Sequence, residues 1–405
     1  MITKLITNAL TLDRKLFVAH RKGALALPFI VLCTLGTTPP ANAQDVTYII
    51  FDPPGSTFTQ PHSINAEGTI TGNYGDAQYV IHGFVRTRDG TFTTFDPAGA
   101  AYTFSQSINR SGAIAGSYTD ANFVEHGFLR AGGSFTTFDP PGSLGTGVSA
   151  INDIGEITGG FNGGTRLHAF LRSPDGTFTI FDVPGAGSTT PTGINAAGEI
   201  TGGYYDTHNL FHGFLRARDG TLTTFDVPGA TNSTAPAGIN RAGQIAGTYN
   251  DAKYVSHGFL RARDGTFTKF DVPGATMTVP TGINSKGAIT GYYDDTNGAN
   301  HGFVRTPDGT FTTFDPPGYT GTDPAGINSA AAIIGVVNSG HGFIRIDGKK
   351  EENQARGNDL RYIQEVSTIT WPRSECDRDL STTRVSNPQH ESLDCLQRSS
   401  ARCIR

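Results

Sequence analysis

Three residue types capable of proton or charge chemistry recur at fixed places in this chain. A His-Gly-Phe or His-Ala-Phe triplet begins at His82, His126, His168, His212, His257, His301 and His341. An arginine stands four places after each histidine, from Arg86 to Arg345. A Phe-Asp pair recurs seven times as well, from Phe51-Asp52 to Phe314-Asp315. Histidine beside aspartate is the usual pairing of general acid–base catalysis. Sevenfold recurrence points elsewhere, because a site needs its acid and base once while a repeated architecture needs packing parts in every unit. Counting by the two-residue strand period, His212, Phe214 and Arg216 share one face and Asp226 lies on the other. The expectation is a buried network in which each His and Arg meets a Phe-Asp aspartate of the adjacent unit.

A second set of residues suits ligand binding. Asp76, Asp120, Asp206, Asp251 and Asp295 each stand six residues before a repeated histidine, and Tyr79, Phe123 and Tyr254 follow their aspartates by three. Aromatic faces beside carboxylates and amides can stack on sugar rings and bond their hydroxyls. Asx turns account for the same aspartates without a ligand. Residues that break the repeat are His62, Gln106, Glu125 and His208. A hydrolase or lyase with a single active site would draw on such residues as His62 and His208, but their spacing assembles no nucleophile, base and orienter. The chain holds no His-Glu-x-x-His, Walker-type loop or Cys-x-x-Cys. Its Tyr-x-Asp loops are not the calcium-binding pattern. No catalytic residue, cofactor or metal is expected.

The elements that must position these residues come from the repeat. Successive Phe-Asp pairs are 44, 43, 43, 44, 45 and 44 residues apart, and an Ile-Asn pair keeps the same rhythm from Asn65 to Asn328. Periods of about 40–50 residues signal propellers or solenoids. Residues 191–231 read as four strands: around Thr192–Ile194, Glu199–Tyr204, His212–Ala217 and Thr221–Asp226. The turns are Asn195-Ala196-Ala197-Gly198 and a two-residue Asp219-Gly220. The equivalent turn at Asp89-Gly90 sets Phe84 opposite Phe95 and leaves Val85 and Phe92 on the other face. Strands apolar on both faces must be covered on both sides, as a blade is by its neighbours. Tyr48–Asp52 matches the fourth strand of the unit, and the last unit stops after its third, so the opening strand can complete the final blade. The expected fold is all-β: a seven-bladed β-propeller of four antiparallel strands per blade over residues 44–348, its ring closed by the N-terminal strand. The tight turns fall on one rim and the longer loops, with the candidate aspartates and aromatics, on the other.

Composition agrees. Glycine is 52 of 405 residues, 17% are charged and methionine occurs twice, which is poor material for helical bundles. Residues 1–43 read as an export signal: a basic start, an apolar run from Ala24 to Leu35, and a small-residue site at Ala41-Asn42-Ala43. That run is shorter than the ~20 residues of a membrane span. Residues 349–405 carry three of the four cysteines, the only tryptophan and one glycine. They read as a disordered or atypical tail that resembles a frameshifted or read-through end. Residues 44–348 hold 16 Lys and Arg against 26 Asp and Glu, a net of −10, which argues against nucleic acid and anionic membranes as partners.

Phrases such as Gly193-Ile194-Asn195-Ala196-Ala197-Gly198 and His212-Gly213-Phe214-Leu215-Arg216 resemble the HAF repeat of bacterial extracellular proteins. The likeness covers about residues 46–348, and only His168-Ala169-Phe170 carries the eponymous alanine. The resemblance implies a secreted, periplasmic or cell-surface repeat protein and brings no catalytic residues. The leading expectation is an exported, non-enzymatic propeller that binds extracellular polysaccharide or an envelope protein through its long-loop rim. The competing expectations are the channel-mouth hydrolase or lyase and a purely structural envelope protein.

Overall fold

In the first full repeat, the strands are Phe58–Ile64, Ile70–Gly75, Ile81–Arg86 and Phe92–Phe95, each antiparallel to the next. The computed structural model describes residues 46–348. The expected export signal and C-terminal tail lie outside them. Twenty-eight strands are present among the described residues, with no helix, and they group in fours. A single parallel bridge, Phe211 to Ser233, joins two neighbouring groups. The chain is therefore all-β, with about seven four-stranded antiparallel blades.

Local chemistry explains each corner. The Asn65 N–H donates to the Thr69 carbonyl (3.0 Å), and Gly68 closes the turn at φ +85°. The first strand carries a bulge between Pro61 and Ser63. Its proline is tolerated because no strand pairs on its other edge, which faces the centre. The bulge pushes backbone toward the second strand, so a Cβ on Gly72 would collide with the Gln60 carbonyl. Glycine stands at this place in every repeat: Gly72, Gly116, Gly159, Gly202, Gly247, Gly291 and Gly335.

The second hairpin departs from the expected register. Thr87 donates its N–H to the Thr91 carbonyl (2.9 Å) around three loop residues, Arg88, Asp89 and Gly90, with Gly90 at φ +92°. A three-residue loop with a left-handed third residue slips the pairing by one relative to a two-residue turn. Gly83, not Phe84, therefore faces Phe95, and Phe92 faces Arg86. Phe92 lies with Phe84 against Phe51 of the preceding blade, while Val85 packs with Phe95 against the next. Covering on both sides, the basis of the blade reading, survives the correction.

The core lies between blades. Phe84, Phe128, Phe170, Phe214, Phe259, Phe303 and Phe343 are fully buried. Most of them meet the Phe-Asp phenylalanine of the preceding blade edge-on, as Phe214 meets Phe181 at 6.2 Å. Full burial of one such ring contributes about 2–3 kcal/mol. Over that junction lies an arginine: the Arg216 guanidinium is 4.9 Å from the Phe181 ring centroid, and Arg130, Arg172, Arg261, Arg305 and Arg345 repeat the contact. These arginines thus meet the aromatic ring of the neighbouring blade, not its Phe-Asp aspartate as expected, and Arg345 also pairs with Asp347 of its own strand (2.8 Å).

Val46–Phe51 pairs antiparallel with Gly342–Asp347 and is the outer strand of the last blade. A second set of bonds links all blades near their centre. The Asn65 Nδ2 donates to the Asn109 carbonyl (3.2 Å), and Asn109, Asn152, Asn195, Asn240 and Asn284 each do the same to the next blade. Asn328 donates to Asn65 (3.0 Å), which returns the series to its start.

Candidate functional site

Strand direction assigns the two rims. First strands run toward the Asn-x-x-Gly turns and third strands toward the Asp-Gly turns, so both tight turns share one rim. The loops joining second to third strands, and each blade to the next, occupy the other. This long-loop rim carries the candidate residues.

Each loop aspartate is a structural cap. Asp76 Oδ1 accepts the N–H groups of Gln78 (2.8 Å) and Val80 (2.9 Å). Asp120, Asp206, Asp251 and Asp295 accept the corresponding pairs. These backbone donors hold all five carboxyls below the ordinary aspartate value, the N–H four residues on being the largest cause. Their second oxygen faces the repeated histidine, 3.4 Å away between Asp76 Oδ2 and His82 Nε2.

The histidine's main partner is closer. His82 Nδ1 lies 2.7 Å from Asp96, His212 Nδ1 is 2.9 Å from Asp226, and His341 Nδ1 is 2.6 Å from Asp52. Apart from the last, completed by the opening strand, each pair comes from one repeat. The His–Asp contact is therefore within a blade, not between blades, and follows from the one-residue slip, which sets Asp226 opposite His212. The next blade is reached through the other oxygen in four cases, where a threonine donates, as Thr59 does to Asp52 (2.5 Å). The network is also less buried than expected: the His212 side chain keeps 20% exposure. Each of these imidazoles except His341 rests on a second-strand ring, as His212 does on Tyr204 at 5.1 Å. Burial alone would lower His82 and His212, but the bond and charge of Asp96 and Asp226, with the loop aspartates behind, make the net shift upward.

The aromatic candidates have a different status. Tyr79, Phe123 and Tyr254 are 75%, 75% and 72% exposed. All three sit in the left-handed region at φ 61°, 62° and 61°, where glycine or asparagine is favoured. The equivalent places hold Asn209, Gly298 and Gly340 in the other loops of this length, and the shorter loop of the third repeat has its left-handed residue at Gly164. Sequence reasoning found the residues but not their conformation, which the alternation of Tyr, Phe, Asn and Gly at one position could have signalled.

At the centre is a cavity of about 280 Å³, lined by the Ile-Asn isoleucines of six blades together with His62, Ser63, Ser107 and small residues. His62 is its only titratable lining residue. Asn73 Oδ1 is taken by the Ser105 N–H (2.6 Å), so its amide nitrogen points at His62 Nε2 (3.0 Å) and donates to it. This leaves the proton on Nδ1, and burial lowers the affinity of the ring for a second one. His208, by contrast, is 81% exposed in a rim loop beside Asp206 and does not line the cavity. Of the other repeat-breaking residues, Glu125 begins a third strand on the long-loop side, an exposed residue whose carboxyl pKa is raised by partial desolvation from its neighbours, and Gln106 is the extra residue of a first-strand bulge. The structure thus does not bring His62 and His208 together as one site.

No protein-family model matches the chain, and comparison with curated proteins finds no match. Solved structures do match it. A catalytically inactive virginiamycin B lyase from Staphylococcus aureus, crystallised with quinupristin, is 14% identical with a TM-score of 0.53, covering 75% of this chain and 99% of that one. A streptogramin B lyase is 15% identical with a TM-score of 0.51, covering 74% of this chain and 97% of that one. Identities this low bear on the fold alone, and with the four-stranded blades described above they identify the chain as a β-propeller.

Proposed function

We propose that the protein is an exported, closed seven-bladed propeller of the HAF-repeat kind that binds extracellular polysaccharide through its long-loop rim, without catalysis. The observation that carries this reading is the set Tyr79, Phe123 and Tyr254: large rings held in water on backbone that disfavours them. Strain of roughly 1–3 kcal/mol per residue persists where something other than stability selects it. Exposed rings next to capped carboxylates and loop amides form flat apolar platforms with hydrogen-bonding edges, which is what a sugar face requires. The asparagine series returning from Asn328 to Asn65 supports ring closure.

A hydrolase or lyase at the channel mouth has less behind it. Its one candidate base in the cavity, His62, already has its Nε2 lone pair engaged by Asn73. The test is binding of the purified protein to a broad glycan panel. Saturable binding that weakens in Tyr79→Ala and Tyr254→Ala is expected. Folded protein that binds no glycan would overturn the reading.

A further inference from the structure

The two rims differ in charge far more than the whole chain suggests. Among the described residues, strand direction places fifteen Asp and Glu and three Lys and Arg on the long-loop side, a net of −12. It places ten Asp and Glu and thirteen Lys and Arg on the tight-turn side, a net of +3. The long-loop side also carries exposed apolar side chains in consecutive blades: Phe123, Leu144 (64% exposed), Leu167, Tyr205 and Leu210.

Contacts make these one arc. A Cβ on Gly145, beside Leu144, would touch Glu125, two residues past Phe123. The Leu144 N–H donates to the Asn162 carbonyl (2.8 Å), and Asn162 pairs with Leu167. Arg166, next to Leu167, donates to the Ala186 carbonyl (3.0 Å), and Gly187 donates to the Tyr205 carbonyl (2.8 Å). Tyr205 pairs with Phe211, the neighbour of Leu210. Past Leu210 the paired strand ends turn polar: Tyr205–Phe211 becomes Asn250–Ser256 in the next blade and Asp294–Asn300 in the one after, and the one large exposed apolar side chain among the described residues of those two blades is the loop ring of Tyr254.

We propose that this arc docks a basic polypeptide segment carrying apolar anchors. Leucine side chains offer nothing to a sugar hydroxyl, but they cover the apolar residues of a peptide. The surrounding −12 charge attracts a cationic partner and rejects an anionic one. Phe123 is shared with the glycan reading, but Leu144 and Leu167 are not, and Tyr79 and Tyr254 lie outside the arc, so variants at the two leucines and at the two tyrosines separate the two.

Two synthetic amphipathic peptides of equal length and leucine content test it, one with lysine and the other with glutamate at its polar positions. Fluorescence anisotropy at physiological salt should give saturable binding of the lysine peptide and none of the glutamate peptide. The double variant Leu144→Ser with Leu167→Ser, unchanged in charge, should weaken the first at least tenfold while keeping its melting temperature. Tyr79→Ala with Tyr254→Ala should bind the peptide as the parent does. Undiminished binding in the leucine variant would overturn the proposal, since the acidic field alone would then be responsible. Equal binding of both peptides would overturn it too. So would self-association abolished by the leucine variant, which would make a second copy the occupant.

Discussion

Asn284 and Asn328 make the same three bonds, which turns ring closure into a measurable quantity. The Asn284 Oδ1 accepts the N–H groups of Lys286 and Ala288, both at 3.0 Å, and its Nδ2 donates to the Asn328 carbonyl at 3.0 Å. Asn328 accepts from Ala330 and Ala332 at 3.0 Å and donates to Asn65 at 3.0 Å. Both residues are buried. A buried hydrogen bond contributes about 1 kcal/mol net, so either asparagine replaced by alanine should cost about 3 kcal/mol. In a ring whose last and first blades part in solution, Asn328 would keep only its two turn bonds. Asn328→Ala would then cost about 1 kcal/mol less than Asn284→Ala, because the freed Asn65 carbonyl would be hydrated. Urea unfolding of the two variants beside the parent, at matched m-values, reads the difference. Equal costs are expected. A smaller loss in Asn328→Ala by a full kcal/mol would refute closure.

Tyr79→Gly and Tyr254→Gly should each stabilise the protein by about 0.5–1 kcal/mol through relief of left-handed backbone, while weakening glycan binding. A melting curve that falls instead would remove the strain argument. Gly202→Ala should cost more than 3 kcal/mol or prevent folding, since its Cβ meets the Thr190 carbonyl. Gly213→Ala should cost about 1 kcal/mol, because the atoms nearest its Cβ belong to the Phe225 ring, a side chain that can shift, and Ala169 already occupies the equivalent place. Comparable losses in the two, by denaturant unfolding, would contradict this. The raised His82 and His212 add stability that is complete below their ordinary value near 6.5 and is lost as pH climbs through their higher folded values. The melting temperature should therefore be higher at pH 6 than at pH 8.5, and His82→Asn with His212→Asn should flatten that slope. An unchanged slope in the double variant would dismiss these histidines as its source.

The repeat was legible because its signals are periodic: one register error in forty-odd residues would have broken seven coincidences at once. The opening strand's place beside the last blade could be read by matching Tyr48–Asp52 to its counterparts. The second hairpin could not, because Asp89-Gly90 serves equally as a two-residue turn or as the end of a three-residue loop. Only the Thr87–Thr91 bond decides it. That one-residue slip carried the aspartates to the wrong face and produced the expectation of an inter-blade network. The second-strand glycines were in plain sight, but their purpose depends on a bulge that no local sequence rule announces. Of the site, residue identities were readable. Exposure and backbone conformation of Tyr79, Phe123 and Tyr254, and the engagement of His62 by Asn73, arise from contacts between distant segments.

The unequal rims have a mechanical consequence. Net charges of −12 and +3 sit on opposite ends of strands about 20 Å long, so the described residues form a strong electric dipole running from one rim to the other. In the field of a cationic partner, such a dipole feels a torque that turns the loop face toward that partner and the tight-turn face away. The protein would meet such a partner already aimed, with its apolar arc and exposed rings presented before any contact forms. Salt would blunt that orientation within a Debye length of about 8 Å at physiological strength.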